Sequence, residues 1–154
     1  MSMREKVAWI SVVASTILFG WYFWTVWSDF VSRSLNGDVL FWRFVNTLVA
    51  AVVIQLAASI YAAWRAKQDF DPPKDELDLA IDHKANRIGL LCLELSLVGI
   101  VLLSRWVSDV ARLDYPADPA GGTVVMLVNL LLLATASCAV LREIIIIIQY
   151  RRYA

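Results

Sequence analysis

Four apolar runs divide this chain, at residues 7–27, 40–64, 88–110 and 123–150, and each is twenty residues or more. At a rise of about 1.5 Å per residue, twenty helical residues cover the ~30 Å hydrocarbon core of a bilayer. A soluble domain has no use for four such runs. With 60% of residues hydrophobic, 18% charged and a mean hydropathy of +0.64, too few polar residues remain to cover a water-facing surface. Lipid is therefore the expected solvent. Inside it the backbone must satisfy its own hydrogen bonds, so the runs are expected to be helices. The expected fold is all-α: one integral membrane four-helix bundle over the 154 residues. The first run ends in Trp21-Tyr22-Phe23-Trp24-Thr25-Val26-Trp27, not in the small residues of a signal-peptide cleavage site, so it reads as a retained span.

The connections set the expected topology. Ser28 to Val39 contains the turn signal Asn36-Gly37-Asp38, and Asp109 to Gly122 contains Tyr115-Pro116, Asp118-Pro119 and Gly121-Gly122, which read as loop. Arg4, Lys6, Arg65, Lys67, Lys74, Lys84, Arg87, Arg151 and Arg152 lie on one side of the four spans, against Arg33, Arg43, Arg105 and Arg112 on the other. The positive-inside rule then places both termini and residues 65–87 in the cytoplasm. Trp24, Trp27, Trp42 and Trp106 form an aromatic belt at one interface, and Trp9, Tyr61, Trp64 and Tyr150 form one at the other.

The hydrophilic stretch 65–87 is expected to hold a short amphipathic cytoplasmic helix that runs on into the third span. Asp71 is the expected N-cap, with Pro72-Pro73 in the first turn. Leu77, Ile81, Lys84 and Ile88 share one face, and Asp75, Asp78 and Asp82 share a solvated face suited to an interaction partner. A calcium loop starting at Asp69 fails, because its sixth position is Lys74 and its twelfth Ala80. His83 is the only histidine and has no second ligand at helical spacing, so neither a metal site nor a bis-histidine haem is expected.

Within the membrane, Thr47, Ala51, Gln55, Ala58 and Ala62 form a small-and-polar seam on the second span, suited to close helix contact. On the third span Arg87, Glu94, Arg105 and Arg112 fall near one line, with Gly89, Cys92, Ser96 and Gly99 roughly opposite. Neither is a good lipid face, so this span is expected between other helices. Cys92 and Cys138 form no C-x-x-C motif and read as small packing residues.

The start Glu5-Lys6 with Ala8-Trp9, the cluster Asp75-Glu76-x-Asp78, then Ile81, Lys84 and Arg87-Ile88, and the terminal Tyr150-Arg151-Arg152 together resemble a group of small bacterial four-span membrane proteins. Members of that group usually have a basic residue where this chain has Leu77. The resemblance implies a bacterial inner-membrane location and no particular activity.

Glu94 is the sharpest candidate for chemistry. A charge within a span costs a few kcal/mol and is retained where it is paired, protonated or used. Arg142, Glu143, Gln55, Ser59 and Ser15 are expected at a similar depth. Two readings follow: a polar layer that cycles a proton or ion, or a Glu94–Arg142 ion pair that holds the third and fourth spans in register. The aromatic run 21–27 suits an interfacial belt, and also a site for a cationic or apolar ligand. No nucleophile–base pair, phosphate loop or metalloprotease signature occurs, and no basic face for nucleic acid. The expectation is a non-enzymatic protein without cofactor, in a bilayer, with a second copy or a membrane-protein partner. A small ion-coupled transporter or channel using Glu94 is the alternative.

Overall fold

The computed structural model describes residues 3–66 and 75–153. They form four helices: α1 (Met3–Val31), α2 (Gly37–Ala66), α3 (Glu76–Asp114) and α4 (Pro119–Tyr153). The fold is all-α, and all four helices are long and apolar enough to cross a membrane. Each predicted run lies inside one helix, and each helix overruns it. α3 is one continuous helix of 39 residues, about 58 Å at the usual rise, so its polar start and its apolar span are a single rod.

The helix ends follow from local chemistry. α1 ends in a Schellman motif: the Ser34 amide donates to the Asp29 carbonyl at 2.9 Å and the Arg33 amide to Phe30 at 3.1 Å. The motif needs a left-handed residue, and Arg33 supplies it with φ 55°. Asn36 then starts α2, its Oδ1 accepting from the Asp38 and Val39 amides at 3.0 and 3.3 Å. α3 is capped by Asp75 in a reciprocal capping box with Asp78. The expected cap at Asp71 and the Pro72-Pro73 pair lie outside the described residues.

The third connection is shorter than expected, because much of Asp109–Gly122 is helical and only residues 115–118 link α3 to α4. Asp118-Pro119 is a helix start: Asp118 Oδ1 accepts from the Gly121 amide at 3.0 Å, with proline at the first helical position. A Cβ on Gly121 would run into the capping carboxylate and displace it.

α1 packs against α2 and α4, and α4 packs against α3. α2 and α3 share no comparable interface, so the bundle is open between them. This corrects the expectation for the third span, because α3 has α4 as its one full helix neighbour. The reason lies in its faces. Ile81, Ala85 and Gly89 are buried, with Cys92 and Ser96 half-buried, whereas Arg87, Glu94, Arg105 and Arg112 are all exposed. The small face and the charged line are real, but only the first has a helix against it.

Many of the buried residues are small, beside a cluster of Ile81, Ile146 and Ile147 at the terminal end, and many large apolar side chains face outward. The buried set includes Ala8, Ala51, Ala63, Ala85, Ala111, Thr47 and Ser59, with Tyr22 the one large side chain fully buried among the described residues. Outward stand Val52, Val53, Leu56, Leu95, Val101 and Leu102. In water such a surface would drive aggregation. In lipid, close backbone approach through small residues is what holds helices together.

Candidate functional site

α3 and α4 meet where Gly89 lets α4 come close: a Cβ on Gly89 would touch Arg142 Cβ at 3.4 Å and the Cys138 carbonyl at 3.9 Å. Arg142 then turns along the seam. Its Nε donates to Asn86 Oδ1 at 2.5 Å and its guanidinium to Glu143 Oε1 at 2.5 Å. The Glu94–Arg142 ion pair considered from the sequence is therefore not formed. Glu94 lies eight residues beyond Asn86, about 12 Å along the axis, and roughly 140° round the helix from Gly89. It is exposed on the side away from α4, with no hydrogen bond or ion pair among the described residues.

The remaining residues of the expected polar layer also separate. Gln55 on α2 donates from Nε2 to Ser15 Oγ on α1 at 2.9 Å, while Ser11 Oγ donates to Gln55 Oε1 at 3.4 Å. This cluster lies on the α2 seam, where Thr47, Ala51 and Ser59 are buried. One expected layer is thus two clusters, Ser11–Ser15–Gln55 between α1 and α2 and Asn86–Arg142–Glu143 between α3 and α4, with Glu94 apart from both.

Two of the three acidic candidates at the start of α3 are turned inward. Asp78 accepts from the Tyr150 hydroxyl of α4 and from the Asp75 amide at 3.4 Å, and Asp82 is half-buried and faces Glu143. The solvated acidic face is therefore corrected: Asp78 and Asp82 lie beside the buried Ile81 and Ala85, because the 81–85–89 face seats α3 on α4. Asp75 is exposed and occupied as the cap. At this terminal end Glu5 of α1 also meets Arg151 of α4 at 3.5 Å, and the Arg151 guanidinium lies 5.5 Å from the centre of the Trp9 ring.

At the opposite, turn end the helices are tied again. Arg43 of α2 bonds Asp29 of α1 at 2.7 Å, and Arg33 bonds Asp114 at 2.9 Å. The Tyr115 hydroxyl donates to the Phe30 carbonyl at 3.2 Å. Burial, reinforced by the neighbouring Asp114 carboxylate, raises the Tyr115 pKa above the usual phenol value and keeps it a donor. Below this layer the buried Tyr22 hydroxyl donates to Asn129 Oδ1 of α4 at 2.8 Å, and Asn129 Nδ2 donates to the Val125 carbonyl at 2.8 Å. Sequence reasoning missed Asn86 and Asn129. Asn129 is the one asparagine in the fourth apolar run, a signal that the more conspicuous Arg142-Glu143 pair obscured.

No group of three His, Cys, Asp or Glu side chains gathers among the described residues. His83 is exposed. Cys92 and Cys138 are free thiols. Compared with known proteins, the chain matches no family description, no curated relative and no solved structure.

Proposed function

We propose that this chain is a non-enzymatic protein of the bacterial inner membrane, with both termini cytoplasmic, that works as a bundle joined to a second copy or to another membrane protein. The observation that carries the reading is Glu94, a carboxylate exposed on a membrane-crossing helix without a partner among the described residues. Lipid chains offer it nothing, and an unpaired charge there costs a few kcal/mol. A helix from another subunit can supply a donor. Leu90, Leu97 and Val101 stand exposed on the same side of α3, at the i±3, i±4 and i+7 spacing of a helix contact. The distribution of Lys and Arg supports the orientation, and the resemblance noted above supports the location.

Size measurement in lipid nanodiscs tests this. The native chain is expected to assemble or to co-purify with a partner, and Glu94→Leu is expected to weaken that assembly. A strictly monomeric chain, indifferent to Glu94→Leu, contradicts the reading.

The same free carboxylate favours a second reading, an ion- or proton-coupled transporter. A glutamate with no cation against it can gain and lose a proton without breaking a structural pair. Flux in liposomes separates the two readings: the transporter reading expects Glu94→Gln to abolish coupled flux, and unchanged flux removes it.

A further inference from the structure

At the turn end a cleft of about 640 Å³ opens between α1 and α3, floored by α4. It exists because both helices lean on α4 and share no sizeable interface with each other, while Gly20 has no side chain to fill the space. Phe23, Trp27 and Phe30 form one wall, Trp106 the other, and Met126 and Leu130 lie in the floor. The volume is within the ~300–1,000 Å³ usual for ligand sites. Apart from the indoles, its one polar side chain is Asn129, whose carbonyl oxygen already accepts from Tyr22 and whose amide nitrogen already donates to Val125. The cleft suits a hydrocarbon chain.

Beside it lies a second, polar hollow of about 480 Å³, and Leu35 and Val125 line both. Arg33, Asn36, Asp38, Asp114 and Asp118 line this hollow. Arg33 is spent on Asp114 through one terminal nitrogen, yet its side chain is 67% exposed, and a guanidinium has five donors. Asp38 stands in the first turn of α2, and Asp118 caps α4. A hollow carrying two carboxylates with no cation against them among the described residues, beside one accessible guanidinium, disfavours a purely anionic group and suits one that carries both signs.

From this adjacency we infer that cleft and hollow together hold one zwitterionic phospholipid, its acyl chain along Phe23, Trp27 and Trp106, its phosphate on Arg33 and its ammonium group on Asp38 and Asp118. A helix of a second copy would fill the cleft but leave the charges of the hollow unanswered. Only a molecule with an apolar chain and a two-signed head answers both.

Native mass spectrometry from an uncharged maltoside detergent, with phosphatidylethanolamine and phosphatidylglycerol of identical chains as probes, tests the inference. The native chain is expected to retain one phosphatidylethanolamine, about tenfold better than phosphatidylglycerol. Asp38→Asn is expected to reduce that preference about three- to fivefold, as loss of one exposed charge contact should. Gly20→Leu is expected to abolish retention. A Cβ at Gly20 meets nothing within 4 Å, so the side chain enters the cleft without disturbing the fold, and Gly20→Ala is the control that leaves the cleft open. Equal retention of the two lipids, retention unchanged in Gly20→Leu, or a second copy of the chain in place of lipid would overturn the inference.

Discussion

Glu94 and Arg142 carry opposite charges on neighbouring helices and do not meet, because helical rise and rotation outweigh the pull between them. Arg142 instead reaches Asn86 and Glu143, two acceptors within its own turn of the seam. A double-mutant cycle on Glu94 and Arg142 should therefore give a coupling energy near zero, whereas Asn86 and Arg142 should couple by about 0.5–2 kcal/mol. Coupling of that size between Glu94 and Arg142 would contradict the geometry. Tyr22 offers a second check at this scale. It is 1% exposed and its hydroxyl bonds Asn129 across α1 and α4, so Tyr22→Phe should cost about 0.6 kcal/mol and no more than ~1.7, the range of interhelical hydrogen bonds in lipid. Unfolding in mixed micelles measures it. These residues were poorly legible in the sequence. A charge pair is visible along a chain, but which member faces which depends on the register between two helices, and only packing sets that.

Among the elements, α3 shows most clearly what sequence periodicity can and cannot give. Its small face and its charged line were both readable from 100° spacing, and both exist. What periodicity lacks is the number of neighbours, so the charged line was expected against another helix and instead stands exposed. The same blindness placed Asp78 and Asp82 in solvent, although Ile81 and Ala85 between and beside them seat the helix on α4. Caps were not legible: the one expected, Asp71, lies outside the described residues, while the caps that form, Asn36, Asp75 and Asp118, sit in stretches that read as a turn signal, an acidic face and a loop. A cap depends on where the helix starts, and composition alone does not fix that. The seam makes a contrast between glycines. Gly89→Leu should separate α3 from α4 and cost about 1–3 kcal/mol, the usual effect of overpacking, since even a Cβ there touches Arg142 at 3.4 Å. Gly99→Leu, where a Cβ meets nothing within 4 Å, should be neutral or slightly stabilising, because glycine is a poor helix former. Melting of the two variants in one detergent decides it, and equal losses would mean that the seam is not where α3 and α4 are held.

For the molecule as a whole, the arrangement is a bundle tied at both ends and open between α2 and α3. The turn end is closed by Arg43–Asp29, Arg33–Asp114 and Tyr115–Phe30, and the terminal end by Glu5–Arg151 and Asp78–Tyr150. Between the ends the exposed charges lie on the line through Glu94, and the exposed polar side chains elsewhere, Thr16, Asn46, Thr135 and Ser137, are uncharged, so a neighbour in the membrane is expected on α3 and not on the outward face of α2. Photo-crosslinking in native membranes tests this most directly, with a photoreactive residue placed singly at Val101, on the Glu94 face, and at Val53, which stands exposed on α2. The account predicts a protein–protein adduct from position 101, lost when Glu94→Leu is added, and only lipid adducts from position 53. No protein adduct from position 101, or equal adducts from both positions, would contradict it.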